Sequence, residues 1–235
     1  MLPLTGLKPF WRYYGGKWRA APRYPQPLLK TIIEPFAGAA GYSMRYPHLN
    51  VILVEKYHVV AEIWRWLIGA SEREVLEVPC VDDVDDLPSA VAQGARNLVG
   101  FCMNDATTAP RKVMSSGLQK LRATGSALAG WSEEKRALVA SQVRFIRHWR
   151  VIEGDYKSAP DVLATWFIDP PYNNKAGSYY VENGLDYASL ATWCVERSGQ
   201  RIVCENEGAT WLPFREFATL QAGINGHGSK EVIWP

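Results

Sequence analysis

The segment TIIEPFAGAAGYSMRYPHLNVILVE, residues 31–55, carries the pattern that decides the fold. Its apolar run Thr31–Phe36 predicts a buried strand, and the small residues Ala37–Gly41 predict a tight turn that leads into a short helix. Val51–Glu55 predicts a second strand, which ends in an acid. The pattern of Tyr57–Ile68 is typical of a helix. This order predicts an α/β protein with a parallel sheet and crossover helices.

The last third of the chain returns to the same kind of pattern. Leu163–Ile168 predicts another buried strand, and Asp186 is placed to cap a helix over Tyr187–Arg197 that Gly199 would end. Arg201–Glu205 and Glu231–Trp234 predict two more strands. The chain shows no internal repeat and no long linker, so a single catalytic domain is expected.

The middle of the chain is less regular and more basic. Gly100–Gly130 predicts an irregular insertion, and Ser132 is placed to begin a helix that runs to about Trp149. Residues 104–150 hold nine basic and three acidic side chains, a net charge of +6, whereas the whole chain carries +2. A basic block of this kind favours a polyanionic partner, with a solvated helix face as the plain alternative. The candidate contacts to such a polyanion are Arg111, Lys112, Lys120, Arg122, Arg144 and Arg147.

Composition excludes several classes of protein. Hydrophobic residues make up 47% and charged residues 21% of the 235 positions, which is typical of a globular domain with a full core. The N-terminal residues contain no apolar run typical of a signal peptide, and no stretch is apolar enough to span a membrane, so a cytoplasmic location is expected. The four cysteines and four histidines are scattered without zinc-site spacing, and no metal is expected.

The sharpest chemical signal is Asp169-Pro170-Pro171-Tyr172 at the end of a predicted buried strand. Ligands of open parallel sheets bind at the carboxyl ends of the strands. Two prolines fix the backbone, so a carbonyl is held beside the Asp169 side chain as a second hydrogen-bond acceptor. Two acceptors next to an aromatic ring suit the exocyclic amino group of a flat base. The plain alternative is a strand that ends in a proline turn.

Two weaker signals accompany this one. In Glu34–Gly41 a strand ends in small residues that let the backbone approach a ligand closely, and Glu55 ends the second strand where an acid typically binds ribose hydroxyls. Trp11–Lys17 adds a glycine-rich loop with a cation. Together, these segments resemble the Dam-like adenine-N6 DNA methyltransferases, with the motif order of the alpha group of amino methyltransferases.

The resemblance extends from Phe10 to Trp234 and is weakest over residues 80–132. It implies a Rossmann-like, S-adenosylmethionine-dependent sheet with a small irregular or helical target-recognition insertion. The catalytic domain would comprise residues 1–99 and 151–235, and the insertion residues 100–150.

The resemblance also implies roles for individual residues. The N-terminal motif with Trp11, Gly15, Gly16 and Lys17 would close over the cofactor, with Lys17 near its carboxylate. Glu34, Phe36 and Gly38 would lie under its methionine part, Glu55 at its ribose and Asp155 at its adenine. Asp169 would contact both cofactor and substrate, and Asp169, Pro170, Pro171 and Tyr172 would be catalytic. Ala40 departs from the family, since many members have a glycine there, and Cys204–Asn206 resembles the family's next strand end only loosely.

The activity that these roles imply is direct transfer of a methyl group from S-adenosylmethionine to N6 of an adenine flipped out of double-stranded DNA. Cytosine N4 and a base in RNA remain alternative acceptors, because their amino groups have the same chemistry. A DNA-binding module that keeps the pocket without catalysis is a further alternative. A nicotinamide dehydrogenase also uses a glycine-rich turn and an acid, but it would leave Asp169–Tyr172 unexplained. The sequence leaves open a link to restriction–modification.

Overall fold

The computed structural model describes residues 6–221 and 228–235, and within these ranges a seven-stranded sheet forms the centre of the molecule. Its strands are β1 (Thr31–Glu34), β2 (Asn50–Glu55), β3 (Arg150–Glu153), β4 (Ala164–Ile168), β5 (Gly199–Asn206), β6 (Arg215–Gln221) and β7 (Gly228–Trp234). Their spatial order is β3-β2-β1-β4-β5-β7-β6. Strands β1 to β5 pair in parallel, whereas β7 runs antiparallel to β5 and β6. The sheet is Rossmann-like, which confirms the predicted fold class.

Helices cover both faces of the sheet. They are α1 (His58–Gly69), α2 (Glu72–Glu77), α3 (Gln93–Cys102), α4 (Ser116–Ala123), α5 (Glu133–Val143) and α6 (Tyr187–Glu196). Successive strand residues point to opposite faces, so Ile32 packs into the core with α1, α3 and α5, whereas Ile33 packs with α6. None of the helices in the described ranges has the length and apolarity needed to span a bilayer.

The position of β1 creates the place for a ligand. β1 lies between β2 and β4, and the chain runs from β1 through β2 to β3 on one side before it crosses to β4 on the other side. Parallel register brings the carboxyl ends of these three strands to one edge, because Ile33 pairs with both Ile52 and Trp166. Glu34, Glu55 and the residue after Ile168 therefore share this edge, where α/β folds of this type bind ligands.

The predicted strands are confirmed, with shifted ends. β1 stops at Glu34 instead of Phe36, and the short helix predicted after the turn is only a 3-10 turn, Ser43–Arg45. Asp186 caps α6 as predicted, because its carboxylate accepts from the next backbone N–H groups. Gly199 begins β5 rather than simply ending α6. Its φ is +109°, and a Cβ there would lie 2.2 Å from the Ala164 carbonyl oxygen, so the position requires glycine.

Two strands were not predicted, and they are the two edges of the sheet. β3 has four half-exposed or exposed residues, and β6 carries charged and polar side chains between its apolar ones. Edge strands are solvated on one side, so they lack the continuous apolar run by which a buried strand is identified.

The middle of the chain is more helical than its sequence indicated. Ser132 caps α5 as predicted, but the helix ends at Val143 and continues only as a 3-10 turn, Arg144–Ile146, because Arg150 already begins β3. Helix α4 lies inside the segment predicted to be irregular. The predicted boundary of the insertion at residue 100 falls within α3. Helix α5, inside the predicted insertion, packs on α2, which lies outside it. The division into a catalytic domain and an insertion stays a prediction, and residues 1–5 of that domain lie outside the described ranges.

Candidate active site

A cavity opens between the carboxyl ends of β1, β2 and β4, with about 860 Å³ of empty space including its mouth. The predicted site residues that line it are Gly15, Gly16, Lys17, Glu34, Phe36, Gly38, Glu55, Asp155, Asp169 and Pro171. The three signals that lie far apart in the sequence therefore meet in one cavity.

The turn after β1 is fixed by the cavity's own residues. The Gly38 N–H donates to Glu55 Oε2 at 2.8 Å, and the Gly38 carbonyl accepts from Trp64 Nε1 at 2.7 Å. Gly38 has a φ of +45°, and a Cβ there would lie 3.1 Å from the Tyr13 ring. Ala40 also has a positive φ, +48°. This conformation costs a non-glycine residue roughly 1–2 kcal/mol, so the backbone at Ala40 is strained.

Glu34 braces the same turn from the end of β1. Its Oε1 accepts from the backbone N–H of Ser43 at 2.7 Å, and the residue is only 2% exposed. Burial raises the pKa of Glu34 to about 8, against the lowering effect of its hydrogen bonds to Ser43. At neutral pH it is therefore mostly a neutral acid, which lines the cavity and ties the two ends of the turn together.

Glu55 sits at the end of β2 with both oxygens in use. Oε2 accepts from Gly38 and Oε1 from the backbone N–H of Tyr57 at 2.9 Å. Burial raises the pKa of Glu55 to about 7, while these backbone bonds lower it. An ionised carboxylate has about four lone-pair positions, so two remain for the hydroxyl groups of a ligand.

Asp169 forms an ion pair with Lys17 inside the cavity. The Lys17 Nζ atom lies 2.8 Å from Oδ1 and 2.9 Å from Oδ2, and it also donates to the Gly15 carbonyl at 3.0 Å. Burial raises the pKa of Asp169 to about 6, although Lys17 lowers it. Burial would lower the pKa of Lys17, but Asp169, Tyr172 and Glu231 raise it well above its ordinary value. Both groups are therefore charged at neutral pH.

The Pro-Pro-Tyr segment is held from both sides. The Tyr187 hydroxyl donates to the Pro171 carbonyl at 2.6 Å, and the Asn173 N–H donates to Glu205 Oε1 at 2.7 Å. Glu205 lies near the end of β5, so the loosely matching Cys204–Asn206 segment anchors the chain just after Tyr172. Among residues 6–221 and 228–235, no hydrogen bond to the Pro170 carbonyl is found. Pro170 is buried, and neither it nor Tyr172 is among the residues that line the cavity, so the predicted catalytic contacts of these two residues stay predictions.

An aromatic wall and a carboxylate form another part of the cavity. The Phe36 ring stacks on Tyr156, with centroids 5.7 Å apart and an interplanar angle of 28°. Asp155 accepts from the Lys157 N–H at 2.9 Å and so caps the 3-10 turn Tyr156–Ser158. The cavity therefore offers a flat ring both an apolar surface and a polar acceptor.

Residues after Tyr172 close part of the mouth, a feature not foreseen from the sequence. The Tyr180 hydroxyl donates to the Tyr14 carbonyl at 3.0 Å, and the Tyr13 and Tyr180 rings lie 6.1 Å apart. Lys56, next to Glu55, pairs with Glu182 at 2.8 Å. The sequence contains two Tyr-Tyr dipeptides, residues 13–14 and 179–180, but only the tertiary fold brings them into contact.

Trp11 requires a correction. It was predicted to contact the cofactor, but it is 1% exposed and packs against Trp64 and Phe101, with ring centroids 5.2 and 6.1 Å away. The N-terminal segment reaches the cavity only from Tyr13 onward. Burial of the large indole in the core beside α1 and α3 stabilises the fold more than a half-exposed position in the cavity wall would.

The basic side chains proposed to bind DNA lie outside the cavity, and several have protein partners. Lys112 pairs with Asp85 at 2.9 Å, and the half-buried Arg122 pairs with Asp82. Arg111 and Lys120 are exposed. Their contact with DNA stays a prediction, and the two pairs show that part of the basic charge is locally balanced.

Arg144 and Arg147 differ in their surroundings, although both are exposed. Arg147 donates to the carbonyls of Ile68, at 2.8 Å, and Ala70, which are groups left open by the C-terminal end of α1. Arg144 instead lies over the Phe145 ring, with its guanidinium carbon 4.8 Å from the centroid. Arg147 thus has a structural role in addition to the predicted one.

No protein-family model and no curated protein matches this sequence. Among solved structures, the chain is similar to a protein named "Putative methyltransferase yhhF from Escherichia coli", with 13% identity and a TM-score of 0.34. The match covers 99% of this chain and 90% of that chain. A likeness this weak says nothing about activity, and the function has to be inferred from the site.

Proposed function

We propose that the protein is an S-adenosylmethionine-dependent DNA methyltransferase that acts on N6 of adenine. The observation that carries the proposal is that Asp169 and Pro171 line the same cavity as Gly38 and Glu55. A methyl group can pass from a nucleoside-like donor to an amino group only if their sites adjoin. The Asp169 carboxylate, an acceptor for an amino group, and a turn suited to a nucleoside share this cavity.

The residues of the cavity fit S-adenosylmethionine. The free lone pairs of Glu55 suit two ribose hydroxyls, and the wall formed by Phe36 and Tyr156, with Asp155 beside it, suits an adenine ring and its amino group. Lys17 supplies a buried positive charge for the amino-acid carboxylate. When bound, the cofactor supplies an electrophilic methyl group.

The residues after β4 would activate the acceptor. The lone pair of an adenine amino group is delocalised into the ring, so the group is a weak nucleophile. Asp169 and the Pro170 carbonyl would accept hydrogen bonds from its two N–H groups, which draws electron density onto nitrogen and stabilises the positive charge that develops there. As the N6–methyl bond forms, the sulfur–methyl bond would break and S-adenosylhomocysteine would leave, and N6 would then lose one proton to solvent. Lys17 keeps Asp169 ionised and therefore able to accept. Tyr172 would stack on the base, a contact worth about 1–3 kcal/mol in other proteins.

Double-stranded DNA is the proposed partner. A base in a duplex cannot reach a buried carboxylate, so the adenine would have to be flipped out of the stack at a cost of a few kcal/mol. The exposed basic side chains of residues 104–150 would contact phosphates. An RNA base or cytosine N4 offers the same amino-group chemistry, and the experiment below separates these acceptors.

The test is a nucleoside count by mass spectrometry after incubation of unmethylated DNA, and separately RNA, with S-adenosylmethionine. N6-methyladenine in DNA is expected with the wild type, and it should be lost with Asp169→Ala. Asp161→Ala is the matched control, because Asp161 lies before β4 and its side chain is 71% exposed. N4-methylcytosine would overturn the acceptor. Absence of any methylated nucleoside in either nucleic acid would contradict the proposal.

A further inference from the structure

Glu231 is a buried acid of β7 that brings together three residues of the cavity and its surroundings. It is only 5% exposed. Its Oε1 accepts from the Tyr172 hydroxyl at 2.9 Å and lies 3.4 Å from Lys17 Nζ. Its Oε2 accepts from the Tyr24 hydroxyl. Residues from three separate segments of the chain therefore converge on one carboxylate.

The carboxylate and its partner Tyr24 are both held firmly. The backbone of Glu231 pairs with Asn206 of β5 on one side and with Ala218 of β6 on the other. The ring of Tyr24 stacks on Phe217 at 4.5 Å and meets Phe167 edge-on at 5.1 Å. A side chain fixed at its backbone and at one oxygen can define the position of whatever binds its other oxygen.

That other oxygen fixes Tyr172. The Lys17 ammonium lies over the Tyr172 ring, 4.9 Å from its centroid, and occupies one of its faces. The bond to Glu231 fixes the hydroxyl end of the ring, so rotation about the side-chain torsions would break it. The ring is thereby held in one orientation. A buried carboxylate is costly, and an apolar side chain could fill the same space in β7, so packing alone does not explain an acid here.

We propose that Glu231 is a positioning residue, which holds the Tyr172 ring in the arrangement that receives the target base. This inference rests on the proposed function for its account of the ligand. Glu231 itself would touch neither base nor cofactor, and it would act through the Tyr172 hydroxyl.

A double-mutant cycle tests that route. Glu231→Ala should lower kcat/KM for DNA by up to ~10²-fold, the scale of about a 1 Å misplacement of a reacting group, while Kd for S-adenosylmethionine changes little. Glu231→Gln, which keeps the volume and one acceptor, should recover most of the loss. In the background of Tyr172→Phe, which lacks the hydroxyl, Glu231→Ala should cost much less, because coupled residues are not additive. Full additivity would overturn the proposal. If the alanine variant does not fold, the spectroscopic comparison below, made with Glu231→Gln, tests the inference.

Glu216→Gln is the matched control. Glu216 is an exposed acid of β6, the strand that neighbours β7, and its replacement should leave kcat/KM unchanged.

A measurement without turnover separates this inference from the proposed function. In protein labelled with ¹³C at tyrosine Cζ, the Tyr172 signal is assigned by its loss in Tyr172→Phe. That signal should shift in Glu231→Gln and remain in place in Glu216→Gln. An unshifted signal would refute the proposed positioning of Tyr172 by its hydrogen bond to Glu231, even if the wild type methylates DNA. A shifted signal in a protein that methylates nothing would support the hydrogen bond between Tyr172 and Glu231 and refute the proposed function.

Discussion

The ammonium of Lys17 lies 2.8 and 2.9 Å from the two carboxylate oxygens of Asp169, although 152 positions separate the two residues in the chain. The pair joins the N-terminal glycine-rich segment to the end of β4 inside one cavity. It also opposes the effect of burial on the Asp169 carboxyl, which would otherwise favour the neutral form. An ionised Asp169 accepts hydrogen bonds without donating any, and its charge stabilises the positive charge that develops on an amino nitrogen.

Asp169 should therefore control both the rate and its pH dependence. Asp169→Ala should lower kcat by at least ~10²-fold, the scale for removal of one preorganised group, with binding of S-adenosylmethionine largely kept. The pKa of Asp169 is raised to about 6, so the wild-type rate should fall as the pH drops through about 6 and Asp169 becomes protonated. A pH–rate profile from 5 to 8 measures this fall. Undiminished turnover by the alanine variant would refute the role.

Glu55 should govern cofactor affinity. Glu55→Gln leaves one acceptor oxygen for the backbone N–H groups of Gly38 and Tyr57, so one of them loses its partner at a cost of about 1–3 kcal/mol. Kd for S-adenosylmethionine, measured by calorimetry, should rise by about 10-fold or more. Glu153→Gln is the control, because Glu153 pairs with Glu55 in register on β3 but is exposed. Equal affinities of the two variants would contradict a ribose site at Glu55.

Glu34 should make the free energy of unfolding pH-dependent. Its pKa is raised from 4.5 to about 8 by burial, so the folded protein holds a proton that the unfolded chain releases. This contribution to stability is complete below about pH 4.5 and is lost as the pH rises through about 8. Glu34→Gln mimics the neutral acid, and its Tm should therefore fall less than that of the wild type between pH 5 and 8. Parallel Tm curves for the two proteins would show that Glu34 titrates normally.

Substitutions of Arg144 and Arg147 should differ in their effects on thermal stability, although both should weaken DNA binding. Arg144→Ala should reduce the slope of log Kd against log salt by roughly one and leave Tm unchanged, as expected for a phosphate contact. Arg147→Ala should also destabilise the protein by about 1 kcal/mol, because it removes hydrogen bonds to the end of α1. Titrations of a short duplex at several salt concentrations, with thermal unfolding alongside, measure both effects. Unchanged slopes would contradict a phosphate contact at either residue.

Elements of the sheet differed in how well they could be predicted, and burial explains why. β1, β2 and β4 have mostly buried side chains, which in a parallel sheet produce a continuous apolar run. β3 and β6 lie at the edges, where one-sided exposure removes that signal. The caps Ser132 and Asp186 were predicted because a helix start depends on a hydrogen bond within three residues.

The sequence by itself determined the central strands, the glycine-rich turn, and the acids and prolines at the strand ends, because these depend on neighbours within a few residues. Only the tertiary structure decided which side chains touch the cavity. It placed Trp11 in the core, joined Lys17 to Asp169, and fixed Tyr172 through Glu231. Such pairings depend on strand order and register, which bring residues together that have no local relation in the chain.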